Sequence, residues 1–271
     1  MTPLVSPEWL HDHRDSLDLK IVDCRWRMDN ADAGRAAWSA GHIPGATYMS
    51  LDDDLAAPTG PGRHPLPTWE TFAATLGHHG ISNTSTVVVY DDTGAAFAGR
   101  LWWMLRAIGH TNVAVLDGGL GAWNGDLETG PSNVAAASYV PHPATGVTLD
   151  QSAISDRLGS ITLVDSRSPE RYRGETEPLD PVAGHVPTAI NLPFTGNLAT
   201  DGRFLSPEKL RTRFVDAGIS DTENTVVYCG SGVTACHNLL AMELAGLGTA
   251  QLYPGSWSDW STSGGPIETG A

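Results

Sequence analysis

Cysteine is scarce in this chain, with three in 271 residues. Three cannot build a disulfide framework, and none has the paired spacing of a zinc site. Positive charge is scarce as well. Sixteen Lys and Arg stand against 31 Asp and Glu, for a net charge of −15, which argues against nucleic acid or an anionic membrane surface as a partner and reads as solubility. No apolar run approaches the roughly 20 residues that span a bilayer. The N-terminal MTPLVSPEWLHDH lacks the basic start and apolar centre of a signal peptide. These absences lead to the expectation of a cytoplasmic protein in a reducing compartment, where a free thiol can work.

What is present is an internal repeat. Gly80-Ile81-Ser82-Asn83-Thr84-Ser85-Thr86-Val87-Val88-Val89-Tyr90-Asp91 aligns without a gap on Gly218-Ile219-Ser220-Asp221-Thr222-Glu223-Asn224-Thr225-Val226-Val227-Tyr228-Cys229. IVDCR from Ile21 answers LVDSR from Leu163, AGHIPGA from Ala40 answers AGHVPTA from Ala183, and VLDGGLGAW ending at Trp123 answers LYPGSWSDW ending at Trp260. The order of parts is the same in both halves, so a domain has been duplicated. The expected division is a domain over 1–124, a Gly-, Pro-, Ser- and Ala-rich linker over 125–146, and a second domain over 147–271.

Each half alternates short β-branched runs with helical patterns, which predicts an α/β fold with a mainly parallel sheet flanked by helices. Strands are expected at Ile21–Cys24, Val87–Tyr90, Val113–Leu116, Thr162–Asp165, Thr225–Tyr228 and Gln251–Tyr253. After Cys229, the spacing of Val233, Cys236, Leu240, Leu244 and Leu247 predicts a helix with one buried face, stopped by Gly246 and Gly248.

Cys229 closes one of these strands and precedes the loop Gly230-Ser231-Gly232-Val233-Thr234. Loop amides and the positive end of a helix dipole favour thiolate over thiol there, which makes Cys229 the candidate nucleophile. Its counterpart Asp91 reads as a surface-loop aspartate, leaving the first half without chemistry. A cysteine phosphatase needs a cation such as an arginine six positions on; that position is Ala235, and 230–234 carries no positive charge. Cys236 is too distant for a C-x-x-C redox pair and reads as core.

Together AGHIPGA, AGHVPTA, RYRGETEPLD, CGSGVTACHN and YPGSWSDW resemble the tandem-domain rhodanese superfamily, and within it the 3-mercaptopyruvate sulfurtransferases. The resemblance covers nearly the whole chain. It implies two rhodanese-like domains, the first inactive, and a persulfide on Cys229 formed from a small-molecule sulfur donor. A thiol such as thioredoxin, or cyanide, would accept the sulfur; no cofactor and no metal are implied. The uncharged CGSGVT loop contrasts with the basic CRKGVT type of thiosulfate-preferring rhodaneses. A thiosulfate sulfurtransferase, and a sulfur-carrier or regulatory module without turnover, are the alternatives.

For the site, the amides of Gly230, Gly232, Val233 and Thr234 form an anion nest, and Ser231 either contacts the donor and relays a proton or serves the turn. Arg171 matches the first of the family's two substrate arginines. Arg173 is either a further contact or a solvated residue. The second family arginine is replaced by Leu179. His42 matches a histidine the family places near the site, with Asp32 as its acidic partner, although His185 repeats His42 in the other half.

Overall fold

A computed structural model describes residues 1–132, 134–220 and 222–270. Asn133 of the predicted linker and Asp221 of the repeat lie outside the described residues. The chain forms two compact units, one of residues 1–58, 66–144 and 200–204, the other of 59–65, 145–199 and 205–271. Each is an α/β unit around a sheet whose strands all pair in parallel.

The first unit runs β1 (Leu4–Val5), α1 (Pro7–His13), β2 (Leu19–Asp23), α2 (Ala33–Ala40), β3 (Thr47–Tyr48), α3 (Trp69–His78), β4 (Thr86–Tyr90), α4 (Ala98–Ala107), β5 (Val113–Leu116) and α5 (Gly119–Ala122). Its strand order is β1-β5-β4-β2-β3. The second runs α6 (Gln151–Asp156), β6 (Thr162–Asp165), α7 (Pro169–Tyr172), β7 (Ile190–Asn191), a 3₁₀ turn (Phe194–Asn197), α8 (Pro207–Asp216), β8 (Thr225–Tyr228), α9 (Ala235–Leu244), β9 (Gln251–Leu252) and α10 (Ser256–Trp260), with order β7-β6-β8-β9. The central strands are continuous β-branched runs because helices cover both faces of a parallel sheet. Val87 to Tyr90 and Val226 to Tyr228 are fully buried.

The six predicted strands are all present, within two residues of their expected ends. The two-residue edge strands β1, β3 and β7 were not predicted, being too short to show a period. Helix α9 departs from the one-faced expectation: every residue from Ala235 to Met242 is buried, so the helix is covered nearly all round.

The repeated motifs brace each sheet in the same way. Arg25 grips Asp23 with its Nε and Nη2 and donates from Nη2 to Gly41 O at 2.7 Å. Arg167 repeats this with Asp165 and Gly184 O. The D-x-R segment thus ties the strand end to the A-G-H turn in both halves, and the fork suits arginine because a buried carboxylate needs bidentate partners. Tyr90 and Tyr228 hydroxyls accept from the amides of Ile43 and Val186 at 3.2 Å.

Much of the stretch read as a linker is fastened to the first unit. Glu128 exchanges two backbone hydrogen bonds with His42, Ala137 N–H donates to Gly77 O, and Ala144 N–H donates to Ala107 O. The second half explains this: Glu268 exchanges the same two bonds with His185. The residues around Glu128 are therefore the tail of the first repeat, and their Gly- and Ala-rich composition hides the pairing because backbone bonds carry it.

Candidate active site

Cys229 sits at the carboxyl end of β8, a central strand, where parallel α/β sheets place their ligands. The residue is 2% exposed. Its amide donates to Ser256 Oγ at 3.1 Å, and its carbonyl accepts from Trp257 N–H at 3.0 Å. Ser256 has φ 54°, rare for a residue with a Cβ, and its hydroxyl also donates to Tyr253 O at 2.9 Å. The strand end is thereby held from outside the loop.

The loop then turns into α9. Gly232 has φ 75°, and a Cβ there would lie 2.4 Å from Pro254 O, so both dihedral and space demand glycine. Thr234 at the start of α9 makes no side-chain cap, leaving the first amides of the helix to other acceptors. The first unit shows what such a loop holds. There Asp91 is fully buried, and its carboxylate accepts from the amides of Thr93, Ala95, Phe97 and Ala98 at 2.8–2.9 Å. The surface-loop reading of Asp91 is thus corrected. Its side chain fills the anion nest of its own half and caps α4, a role the sequence hides because Asp is also common in solvated turns. In the second half Cys229 holds the position of Asp91 in the repeat.

Ser231 is brought to a partner that sequence reasoning missed. Its Oγ shares a 2.7 Å hydrogen bond with His64 Nδ1. His64 belongs to the 59–65 segment, which lies far away in sequence yet is part of the second unit. That segment is pinned there: Arg63 N–H donates to Ser258 Oγ at 3.0 Å, and Gly62, with φ 78°, packs where a Cβ would lie 2.5 Å from Gly255 O.

Arg171 lies beside the loop. Its Nε and Nη2 engage Glu177 at 3.1 and 2.6 Å, and Nη2 approaches Asp180 at 3.4 Å. Glu177 also accepts from Arg167 and from the amides of Leu179 and Asp180. Arg173 instead pairs with exposed Glu175 at 2.7 Å, the solvated alternative. The loop 230–234 carries no cation of its own, but Gly230 is not free of positive charge. The position of a Cβ on Gly230 lies 3.0 Å from Arg63 Nη2 and 3.4 Å from Arg171 Nη1.

His42 and Asp32 belong to the first unit. The His42 ring bonds Trp38 O at 2.8 Å and Ser132 Oγ at 3.2 Å and stacks on Trp38. His185 does the same in the second unit, bonding Tyr172 O at 2.8 Å and stacking on Tyr172. A part played twice, once in each half, is that of a structural turn, and the histidine joined to the Cys229 loop is His64. Asp32 is exposed and makes no cap bond at the start of α2. Of the other cysteines, Cys24 is buried, and burial followed by Asp23, Asp91 and Asp54 pushes its thiol well up; Cys236 lies in α9 with Sγ 3.4 Å from Gly232 O.

The model of the rhodanese-like domain matches the chain twice, over residues 6–126 and 150–263. The chain belongs to the rhodanese family. It is 43% identical to a probable 3-mercaptopyruvate sulfurtransferase of Pseudomonas aeruginosa, with 93% of each chain covered. It is 45% identical to a putative thiosulfate sulfurtransferase of Mycobacterium tuberculosis, with 90% of this chain and 88% of the relative covered. Among solved structures it resembles the 3-mercaptopyruvate sulfurtransferase SseA of Escherichia coli, at 31% identity and a TM-score of 0.83 over 95% of this chain and 100% of that one. Two rhodanese domains in tandem are the architecture of this chain.

Proposed function

We propose that the protein is a 3-mercaptopyruvate sulfurtransferase working through a persulfide on Cys229. The Cys229 thiolate attacks the donor sulfur; an S–S bond forms, the C–S bond breaks, and its electron pair leaves on carbon as the enolate of pyruvate. The donor's thiol proton passes to that carbon, so thiolate and mercaptopyruvate become persulfide anion and pyruvate with charge and atoms balanced. An acceptor thiolate, such as that of thioredoxin, or cyanide then attacks the outer sulfur and restores Cys229.

The observation that carries this reading is the 2.7 Å bond between His64 and Ser231, two residues after Cys229 in the same loop. A hydroxyl backed by an imidazole moves protons, and the mercaptopyruvate reaction needs one moved from sulfur to carbon. Thiosulfate does not: its leaving sulfite departs as an anion without protonation. The nest amides, with Asp91 showing their taste for an anion, support the thiolate and persulfide.

Thiosulfate remains the second reading because Arg63 and Arg171 stand beside Gly230, where a dianion would be welcome, and because the M. tuberculosis relative bears that name. Steady-state kcat/KM for the two donors, with cyanide as common acceptor, separates them. Preference for mercaptopyruvate is expected; equal or better use of thiosulfate would transfer the assignment to that donor. No helix among the described residues is long and apolar enough to cross a membrane, and three free cysteines suit a reducing, cytoplasmic setting.

A further inference from the structure

The family's second substrate arginine is absent: the residue after the E-P pair is Leu179, 36% exposed. A lone guanidinium at Arg171, already engaged by Glu177 and Asp180, would hold the donor's carboxylate poorly. We infer that Arg63, carried into the second unit by the 59–65 segment, supplies the missing half of the donor-carboxylate clamp. The inference rests on the mercaptopyruvate reading and names the residue that reading lacks.

Three guanidinium nitrogens from two side chains converge over Gly230: Arg63 Nη2 at 3.0 Å from the place of a Cβ, and Arg171 Nη1 and Nη2 at 3.4 and 3.6 Å. Glycine at 230 lets both guanidinium groups come this close to the loop, because a Cβ there would crowd Arg63 Nη2. In mercaptopyruvate the carboxylate carbon is three bonds from the sulfur. Consecutive Cα atoms are about 3.8 Å apart, so a donor whose sulfur meets Cys229 carries its carboxylate to the neighbourhood of Gly230. Two forks then meet two oxygens, the geometry in which arginine excels.

Asp180 is the positioning residue. Its side chain is 4% exposed, one oxygen pairs with Arg63 Nη1, and the other lies 3.4 Å from Arg171 Nη2. One buried carboxylate thus holds two cations side by side against their repulsion and leaves a nitrogen of each for the donor. The Arg63 amide bond to Ser258 and the His64 bond to Ser231 fix the segment on either side of the clamp. Sequence alone could not reveal this, since Arg63 lies more than one hundred residues before Arg171.

The test uses the full chain with Arg63→Met, which keeps the aliphatic stem, and Arg63→Lys, which keeps the charge but loses the fork. Pyruvate release by the parent reads the functional assignment; the ratio of parent to variant reads the clamp. For mercaptopyruvate, kcat/KM should fall by about 10–100-fold in Arg63→Met, the size of one charge-assisted contact, chiefly through KM, with Arg63→Lys between. Mercaptoacetone, the same keto thiol with a methyl group in place of the carboxylate, is the control donor. Its sulfur loading of Cys229, followed by mass spectrometry, should be slow in the parent and the same within a few-fold in both variants. Asp180→Asn should raise KM for mercaptopyruvate more than it lowers kcat. Unchanged mercaptopyruvate kinetics in Arg63→Met would overturn the clamp. So would equal losses with both donors, because the arginine would then serve only to hold the segment and His64. A parent that releases no pyruvate would overturn the functional reading and the clamp with it.

Discussion

Ser256 holds the amide of Cys229 at 3.1 Å from a left-handed backbone conformation, with φ 54°. In the first half the counterpart is Gly119, with φ 59°, for which that conformation is unstrained. The second half thus accepts strain of about 1–3 kcal/mol to hold a hydroxyl against the Cys229 amide. Ser256→Gly relieves that strain but orphans the buried Cys229 amide at a comparable cost of about 1–3 kcal/mol, so the thermal midpoint should move little while kcat falls; a variant as active as the parent would show that the hydroxyl does not position Cys229. At the same scale, Ser231→Ala and His64→Ala should each lower kcat with mercaptopyruvate by about 10²-fold. The double variant should lose little more than the worse single one, since the two act as one relay; losses that multiply would separate them. Cys229 and Ser231 were legible from the sequence because a strand, a glycine loop and a helix are neighbours in the chain. His64 was not, because the bond that joins it to Ser231 spans 167 residues and no local pattern marks it.

At the scale of elements, the loop after β4 is closed by its own side chain. Asp91 offers two oxygens to four amides at the start of α4, of which those of Ala95 and Ala98 are buried. Asp91→Ala orphans the two buried donors, and at about 1–3 kcal/mol for each, less what entering water recovers, it should cost the first unit about 2–4 kcal/mol. Chemical denaturation should show the loss directly; a stability within about 0.5 kcal/mol of the parent, the usual range for surface changes, would restore the surface-loop reading. The long central strands were legible because burial on both faces writes itself as β-branched runs. The buried extent of α9 was not. His237 and Asn238 lie off the stripe of Val233, Cys236 and Leu240, yet both are buried, and Asn238 is satisfied there by Ser166 Oγ and Leu192 O at 2.8 Å. A polar residue with its partners supplied by the fold looks like a solvent-facing one in sequence.

At the scale of the molecule, each unit is completed by a short segment from the other half of the sequence: 59–65 joins the second unit and 200–204 joins the first. Phe204 N–H donates to Asp117 at 2.9 Å within the first unit, as Arg63 N–H donates to Ser258 in the second. A contiguous repeat does not foretell this exchange, which brings both Arg63 and His64 to Cys229's unit. Stability should also respond to pH through His110, which is buried, bonds Tyr139 Oη at 3.1 Å, and has its ionisation pushed below the ordinary range by that burial. The unfolded chain takes up a proton near pH 6.5 that the folded one refuses, so stability is full above that pH and declines as pH falls towards the depressed folded value. Urea midpoints at about pH 7.5 and 5.5 should differ less in His110→Gln than in the parent; equal differences would remove His110 from the account.

The most direct measurement is a single turnover without acceptor. The reduced protein is mixed with one equivalent of 3-mercaptopyruvate, and pyruvate and intact mass are followed together. One pyruvate released for each sulfur gained, with the sulfur on the peptide containing Cys229 and both signals lost in Cys229→Ser, is the predicted result. Pyruvate release without a retained sulfur, or a sulfur still gained by Cys229→Ser, would contradict transfer through the Cys229 persulfide.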